Sequence, residues 1–379
     1  MKKRQFLAAA LFSAAVMTFG TVSFGEAAKS LQIKEQGIFS AGGTVLHSPG
    51  TFDISHYYTS REGSTAHVDH ANVLYEVPQK ETGLPMVFLH GYGQSRTGWM
   101  ATPDGKPGWA DFFLRHGHSV YLIDEPRRGE AGATGKAGTM TTTPSDQTWY
   151  TQFRIGTYKN GAFTYNKDSK FPKGEAALNQ FFRQMTPDTG MDNAAGEQAI
   201  DTDVVAKAVA AAIDEIYDRT GKKSILVTHS MGGTIGWRTP FRTDKVKAII
   251  AFEPGGSPFI FPEGEVPEPV PTLYDPVKAQ AMGVPLESFL ALTKLPMVLF
   301  YGDHISDGTT DEIGPDKWRS EFMMAKEFVS CVNRHGGMAE IVHLPDLGIK
   351  GNTHFLMADK NNEVIAGLMA DWLSAKGLS

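Results

Sequence analysis

The sequence has a single cysteine, Cys331, among its 379 residues. An intrachain disulfide is therefore excluded, and the fold must be stabilised by its core, for which 41% hydrophobic residues are ample. Cys331 lies in the helix-like run "KEFVSCVNRHGG". We expect a small buried apolar residue there rather than a reactive thiol.

An excess of positive charge is also missing. Acidic residues outnumber Lys and Arg by 42 to 36, which gives a formal net charge of -6. The chain has no basic stripe of the kind that nucleic acid or anionic lipid requires, so neither is expected as a partner. No phosphate-binding motif of the G-x-x-x-x-G-K-[ST] or strand-linked G-x-G-x-x-G type occurs. We expect no nucleotide and no other cofactor.

Long hydrophobic runs are confined to the N-terminus. Residues 1–28 have the layout of a signal peptide, in which Lys2, Lys3 and Arg4 precede the apolar run "FLAAALFSAAVMTFG" and a stretch of small residues. The run is shorter than the ~20 residues of a membrane-spanning helix, so an uncleaved anchor is the less favoured interpretation. We expect an exported protein, periplasmic or secreted, without membrane insertion after signal cleavage.

The remaining chain alternates short apolar runs with amphipathic, helix-like segments. The apolar runs include "PMVFLHGYG", "SVYLID", "SILVTHSMGG", "VKAIIAFEPGG", "PMVLFYGDH" and "AEIVHLPD". Continuous apolar runs of this length are typical of strands buried on both faces. They predict an α/β fold over residues 29–379, with a mostly parallel central sheet flanked by helices. Residues 71–78 are expected to add an antiparallel edge strand.

Two stretches interrupt this alternation. Residues 131–197 are rich in Thr, Gly and aromatics and have little periodicity, so they predict a cap-like insertion, with a surface elaboration as the alternative. Residues 255–280 are Pro-rich and predict a second irregular excursion near the same edge. Aromatic residues in the two stretches are candidates for a substrate pocket or for the core: Trp149, Tyr150, Phe153, Phe259 and Phe261.

Ser230 is the first candidate for catalysis. It follows the apolar run "ILVTH" and precedes glycines that can open a helix. A nucleophile elbow needs this context, with small residues two positions away on each side so that strand and helix can approach closely. Gly232 meets the downstream requirement, but Thr228 replaces the usual upstream glycine. Taken alone, the pentapeptide is equally compatible with a plain strand-to-helix turn.

A reactive serine needs a base, and the base needs an acid to orient it. In the order Ser, acid, His, the base candidate is His354 in "GNTHFLM", after the last predicted strand and before the C-terminal helix. The alternative is a His354 that only bonds loop backbone. His229, adjacent to the serine, is expected to pack.

Two carboxylates compete for the role of the acid. Asp303 ends the strand that usually carries the acid in this architecture, but it directly follows Gly302 and can instead tie down the turn. Glu253 ends the strand after the nucleophile, and its longer side chain can reach an imidazole on a neighbouring loop. A buried carboxylate needs such a partner. We favour Glu253 and keep Asp303 as the alternative.

The negative charge that develops on a substrate carbonyl needs hydrogen-bond donors. The backbone N–H of Met231, the residue after the serine, is one candidate. The N–H of Tyr92 in the "HGYG" turn is the other, because an oxyanion hole usually draws on the loop after an earlier strand. A simple tight turn is the alternative for "HGYG".

With these residues in place, the chain resembles the α/β-hydrolase superfamily, and within it the secreted bacterial esterase family typified by the Alcaligenes esterase. The resemblance rests on the "FLHGYGQSRTGWM", "VTHSMGG", "FEPGG" and "LPDLGIKGNTHFLMADKNN" segments. That family takes its acid as a Glu after the strand that follows the nucleophile, so the match implies this role for Glu253. The family prototype has paired cysteines in the oxyanion loop, where this chain has Tyr92 and Gly93.

The resemblance and the residues predict a serine hydrolase that cleaves small-molecule carboxylic esters through an acyl-enzyme. The alternatives are an amidase, a peptidase or another acyl-transfer enzyme on the same fold, and a non-catalytic binding protein. For the oligomeric state of the protein, we consider a homodimer. His67 and His70 form an H-x-x-H pair, but the pair precedes a strand and has no cysteine nearby, so no metal site is expected there.

Overall fold

The computed structural model describes residues 30–135, 144–190 and 201–379. Within them, Gln32–Ser379 form a compact unit. The predicted signal peptide, residues 1–28, lies outside the described residues, as do residues 136–143 and 191–197 of the predicted insertion. In the three described ranges, no helix combines the length and the apolar character that a membrane span requires.

The secondary structure follows the alternation of the sequence. The strands are β1 (Ile33–Ala41), β2 (Thr44–His47), β3 (Thr65–Val68), β4 (Ala71–Pro78), β5 (Met86–Leu89), β6 (Val120–Asp124), β7 (Gly156–Lys159), β8 (Ala162–Tyr165), β9 (Ser224–His229), β10 (Val246–Phe252), β11 (Phe259–Pro262), β12 (Ala281–Val284), β13 (Pro296–Tyr301) and β14 (Met338–His343). The α-helices are α1 (Trp109–Arg115), α2 (Asp146–Gln152), α3 (Glu175–Arg183), α4 (Thr202–Thr220), α5 (Gly232–Arg238), α6 (Leu286–Phe289), α7 (Ile313–Arg334) and α8 (Asn362–Ala375).

An eight-stranded sheet organises the molecule, with strand order β1-β4-β6-β5-β9-β10-β13-β14. The six strands from β6 to β14 in this order run parallel, and β4 and β1 join antiparallel. The predicted α/β architecture is confirmed. The segment 71–78 forms β4 and is antiparallel as predicted, but it is not the edge strand, because β1 pairs along its outer side.

The core lies between this sheet and the helices that flank it. Every residue of β5, β6 and β9 is buried, which explains their unbroken apolar runs. Burying one large aliphatic side chain contributes about 1.5–3 kcal/mol to the free energy of unfolding. These strands therefore supply much of the stability of a fold that has no disulfide. Helix α1 packs on β4, β6 and α8, while α4 packs on β1, β4, β9 and α5. Cys331 is fully buried on α7, as predicted.

Helix α4 shows how local sequence sets the helix ends. The Asp201 side chain accepts a hydrogen bond from the N–H of Val204 at 3.1 Å and so caps the first turn. Gly221 ends the helix in the left-handed conformation, with φ of 69°, and donates its N–H to Tyr217 O. The chain then turns directly into β9, the strand that leads to Ser230.

The two interruptions of the alternation contain short regular elements. The first holds α2, the antiparallel pair β7–β8 and α3, none of which the sequence predicts. The second begins with β11, which pairs in parallel with β12 outside the main sheet. The cap-like role of residues 131–197 stays a prediction.

Candidate active site

The parallel strands place the candidate residues together. The carboxyl ends of β9, β10 and β13 lie side by side, and Ser230, Glu253 and Gly302 follow them directly. The loop that carries His354 reaches the same edge, because the N–H of Asp303 bonds to Asn352 O at 2.9 Å. The order of strands in the sheet thus brings residues separated by more than a hundred positions to one edge.

Ser230 occupies a strained turn between β9 and α5. Its φ of 54° lies in the left-handed region, which costs a non-glycine residue free energy and is retained only where the surroundings enforce it. The turn is enforced by hydrogen bonds from Ser230 N to Phe252 O at 2.9 Å and from Gly233 N to Ser230 O at 2.9 Å. A strand, a tight turn at a serine and a helix in succession are what a nucleophile elbow requires.

The structure explains why Thr228 is tolerated where the elbow usually has glycine. A Cβ on Gly236 would lie 2.8 Å from Cγ2 of Thr228, so the helix rather than the strand supplies the glycine that this crossing needs. Likewise, a Cβ on Gly232 would lie 2.7 Å from His90 O. Glycines of α5 therefore allow the close approach of helix and strand.

His354 lies in the loop between β14 and α8 and is fully buried. Its Nδ1 is 3.1 Å from Oε2 of Glu253. The ring stacks on Phe153 at 4.8 Å and lies 4.0 Å from the ring of Trp318, so its orientation is fixed on both sides. Its Nε2 has no hydrogen-bond partner among the described residues. A bond to the Ser230 hydroxyl is therefore not formed in this conformation, and Nε2 is left free to accept a proton.

Glu253 is buried at the end of β10, with φ of 47°. Oε2 faces His354, while Oε1 accepts hydrogen bonds from the N–H of Gly302 and from Nη2 of Arg154, the latter at 2.7 Å. A fully buried carboxylate is tolerated only when paired and hydrogen-bonded. Both oxygens of Glu253 meet that condition.

Asp303 has different partners. Its carboxylate accepts the backbone N–H groups of His304 and Gly351, each at 2.7 Å. Its carbonyl accepts Nε of Arg154 at 2.8 Å. Asp303 thus ties the turn after β13 to the loop that carries His354. The geometry favours Glu253 over Asp303 as the acid.

The predicted oxyanion donors belong to two loops that meet at Ser230. A Cβ on Gly91, the neighbour of Tyr92, would lie 2.8 Å from the Cβ of Ser230. The backbone N–H groups of Tyr92 and Met231 donate no hydrogen bond within the part of the chain that the structure describes. Two unused donors beside a serine hydroxyl suit the stabilisation of an oxyanion.

Arg154 and His229 support the site in ways that the sequence does not predict. Arg154 follows α2, is buried, and bonds both to Glu253 and to the carbonyl of Asp303. His229, expected only to pack, lies 3.1 Å from Oε1 of Gln94 through Nδ1 and 2.9 Å from His354 O through Nε2. In the sequence, the position of His229 next to Ser230 was the feature that could have indicated a role for it in the site. Nothing local marks Arg154, whose partner lies 99 positions away.

Electrostatics favours neutral histidines here. Burial holds the pKa of His354 well below its ordinary value, and the positive charges of Arg154 and Lys317 lower it further. Burial likewise lowers the pKa of His229, with a further contribution from His354. A neutral His354 is the form that accepts a proton from serine.

The predicted aromatic candidates divide between site and core. The rings of Trp149 and Tyr92 stack at 6.2 Å, and Phe153 covers His354. Phe259 and Phe261 instead pack against Phe328 of α7, away from the site. Tyr150 is buried against β8, with Phe163 at 4.7 Å. Of the predicted aromatic candidates, Trp149 and Phe153 therefore lie near the site, and both belong to the first interruption.

Two groups of potential metal ligands occur among the described residues. One combines Glu265, Cys331 and His335, and the other Asp168, Asp303 and His304. Neither includes His67 or His70. The second group shares Asp303 with the turn described above.

Comparison with known proteins gives two informative likenesses, although no family model matches the chain. A probable secreted lipase, phiG, from a fungal species (strain ATCC 74256) is 29% identical over 333 residues, which cover 78% of this chain and 84% of the lipase. A bacterial esterase whose structure was determined at atomic resolution superposes with a TM-score of 0.70 and 25% identity, covering 92% of this chain and 98% of the esterase. Together with the sheet and its helices, these likenesses show that the chain has the α/β-hydrolase fold.

Proposed function

We propose that this α/β-hydrolase is a carboxylic ester hydrolase that uses Ser230 as its nucleophile. The class of reaction agrees with both relatives, one named an esterase and the other a lipase. The observation that carries the assignment of residues is the buried pair of His354 Nδ1 and Glu253 Oε2, 3.1 Å apart, at the sheet edge where Ser230 occupies a strained turn. A buried acid that orients an imidazole beside a serine is the arrangement of serine hydrolases.

The chemistry proceeds in two steps. His354 Nε2 takes the proton of the Ser230 hydroxyl as Oγ attacks the ester carbonyl, and the proton passes to the departing alkoxide, which leaves as the alcohol. Water then attacks the acyl-serine, again with His354 as base, and releases the carboxylic acid and the free serine. Glu253 keeps the ring in place and stabilises the imidazolium that forms in each step.

The backbone N–H groups of Tyr92 and Met231 stabilise the negative charge on the carbonyl oxygen in both steps. Loss of one such donor typically costs about 2.7–4 kcal/mol of transition-state stabilisation. Because both donors are main-chain groups, substitution of either side chain leaves the donor itself in place. No cofactor takes part in this scheme.

Export accompanies this function. The fungal relative is named as secreted, and residues 1–28 of this chain have a signal-peptide layout. The mature enzyme then acts on esters outside the cytoplasm, in the periplasm or beyond the cell.

The proposal is tested by ester hydrolysis with purified protein. Wild type is expected to release acid from a para-nitrophenyl ester with saturation kinetics, and Ser230→Ala is expected to lower kcat by about 10⁴-fold or more. Equal circular dichroism spectra of the two proteins serve as the control for folding. Retention of most of the activity in Ser230→Ala would contradict the assignment of the nucleophile.

A further inference from the structure

A cavity of about 410 Å³ lies next to the nucleophile and has no role in the chemistry described so far. Met231, which follows Ser230, forms part of its wall, together with Gly256 and Ser257. The same wall contacts the nucleophile turn, because the N–H of Gly255 bonds to Ser230 O at 3.3 Å. The volume falls in the range of roughly 300–1,000 Å³ that is typical of small-molecule sites. A substrate that extends from Ser230 past Met231 would enter this cavity.

The other side of the cavity is formed by α7, which contributes two charged residues one turn apart. Lys317 and Glu321 are 8% and 1% exposed, and both line the cavity. Between them, on the same helix, Trp318 packs its ring 4.0 Å from that of His354. One helix thus places charged side chains in the cavity and an aromatic ring against the catalytic base.

Lys317 has unused capacity to bind an anion. Its nearest carboxylate oxygen is Oε1 of Glu321 at 3.5 Å, which is longer than the 2.7–2.9 Å of a charge-assisted hydrogen bond. That oxygen already accepts the N–H of Gly256 at 2.9 Å. The ammonium group carries three donors and Lys317 lines the cavity, so donors remain for a ligand there.

In the described ranges, Glu321 has partners on one carboxylate oxygen only. Its Oε2 is buried and has no hydrogen bond within the described residues. Oε2 packs against Gly255, since a Cβ built on that glycine would lie 2.9 Å from it. Burial raises the pKa of Glu321, whereas the positive charge of Lys317 and the N–H of Gly256 act in the opposite direction. Lys317 is therefore the charged group of this wall that is available to a ligand.

We propose that this cavity binds a carboxylate of the substrate, with Lys317 as the cationic partner. The enzyme then prefers esters that carry a separate anionic group, either on the acyl side, as in a monoester of a dicarboxylic acid, or on the alcohol side, as in an ester of a hydroxy acid. This inference rests on the proposed ester hydrolase function, which it extends from the reaction to the class of substrate.

Two pairs of substrates test the preference. For the acyl side, the para-nitrophenyl monoester of adipic acid is compared with the ester whose free carboxylate is replaced by a carboxamide. For the alcohol side, para-butanoyloxybenzoate is compared with its carboxamide. In at least one pair, kcat/KM of the carboxylate form is expected to exceed that of the amide form by about tenfold or more, which corresponds to one hydrogen bond to a charged group.

Substitutions in α7 test whether the preference for a carboxylate arises in the cavity. Lys317→Met is expected to reduce the ratio of kcat/KM between carboxylate and carboxamide forms by about tenfold, mainly through KM, and Lys317→Arg to restore most of it. The ratio within each variant cancels any effect on the chemistry that both substrates share. Lys278→Met is the matched control, since Lys278 also lines the cavity but is paired with Asp275 at 2.8 Å. It is expected to change the ratio by less than about threefold.

The outcomes separate the two proposals. If wild type hydrolyses neither form of either ester, the proposed function fails. If it hydrolyses the carboxamide forms and shows no preference for a carboxylate in either pair, only the cavity inference is overturned. A preference that survives unchanged in a folded Lys317→Met variant would also overturn it.

Discussion

At the scale of single residues, the central choice is between Glu253 and Asp303. The two carboxylates lie on neighbouring strands, but Glu253 contacts the imidazole of His354, and Asp303 accepts main-chain N–H groups. The longer Glu side chain crosses from β10 to the histidine loop, whereas Asp303 is held in its own turn. We therefore propose Glu253 as the residue that orients the base.

Glu253→Gln is expected to lower kcat by about 10³-fold or more, because an amide cannot stabilise the imidazolium. Asp303→Asn is expected to cost less than about tenfold, because the amide oxygen still accepts a main-chain N–H. The measurement is kcat on one para-nitrophenyl ester for both variants, with thermal midpoints to show that each is folded. A larger loss in Asp303→Asn would reverse the assignment.

The pH dependence of the reaction follows from the surroundings of His354. Catalysis needs the neutral ring, so kcat/KM rises as pH increases through the pKa of His354 in the free enzyme. Since burial and the charges of Arg154 and Lys317 lower this pKa, the midpoint of the acid limb is expected below 6.5, the ordinary value of histidine. The negative charge of Glu253 opposes this lowering of the pKa of His354, but that charge is paired with Arg154. Neighbouring His229 stays neutral.

The variant Arg154→Gln tests the same dependence of kcat/KM on pH. Removing the guanidinium leaves the negative charge of Glu253 uncompensated beside the ring, so the midpoint is expected to move upward relative to wild type. The profile of kcat/KM across the acidic range measures both midpoints. A wild-type midpoint above 6.5, or a downward shift in the variant, would contradict the electrostatic description of the site.

At the scale of secondary-structure elements, the crossing of β9 and α5 explains how the nucleophile turn is built without the usual upstream glycine. Thr228 supplies a methyl group where glycine is expected, and Gly236 of α5 leaves room for it. The sequence shows the departure at Thr228 at once. It does not show the compensation, because the contact joins residues of a strand and a helix whose distance depends on the whole crossing.

Gly236→Ala is expected to lower the free energy of unfolding by about 1–3 kcal/mol, because the added methyl would lie 2.8 Å from Cγ2 of Thr228. Gly367→Ala on α8 is the matched control. Nothing lies within 4 Å of the methyl it adds, so it is expected to stabilise the protein by about 0.5–1 kcal/mol. Chemical denaturation measures both changes. Equal effects of the two substitutions would contradict the crossing described here.

The elements that the sequence predicts are the ones with strong local patterns. Strands buried on both faces give unbroken apolar runs, and α4, α7 and α8 are long enough to show periodicity. Helix α2 and strands β7 and β8 are four to seven residues long, too short for a period to be read. Ser145, which accepts the N–H of Thr148 at 3.3 Å, was the available signal for the start of α2.

At the scale of the whole molecule, chain order predicts much of the candidate site. Carboxyl ends of parallel strands meet at one edge, so residues that follow β9, β10 and β14 are expected to converge, and the structure places Ser230, Glu253 and His354 there. Arg154 was beyond sequence reasoning, because its role depends on a contact between the interruption after β6 and the end of β10. The cavity beside Met231 likewise depends on long-range packing, because its walls combine residues of α4, of the second interruption and of α7.

The most direct test of the central claim is the site of covalent modification by a fluorophosphonate, which reacts with activated serine hydroxyls. Purified protein is incubated with the reagent, digested and sequenced by mass spectrometry, with Ser230→Ala as the control. We predict a single adduct on Ser230 in wild type, loss of ester hydrolysis in proportion to labelling, and no adduct in the variant. Labelling at another serine, or full labelling of Ser230→Ala, would contradict the account.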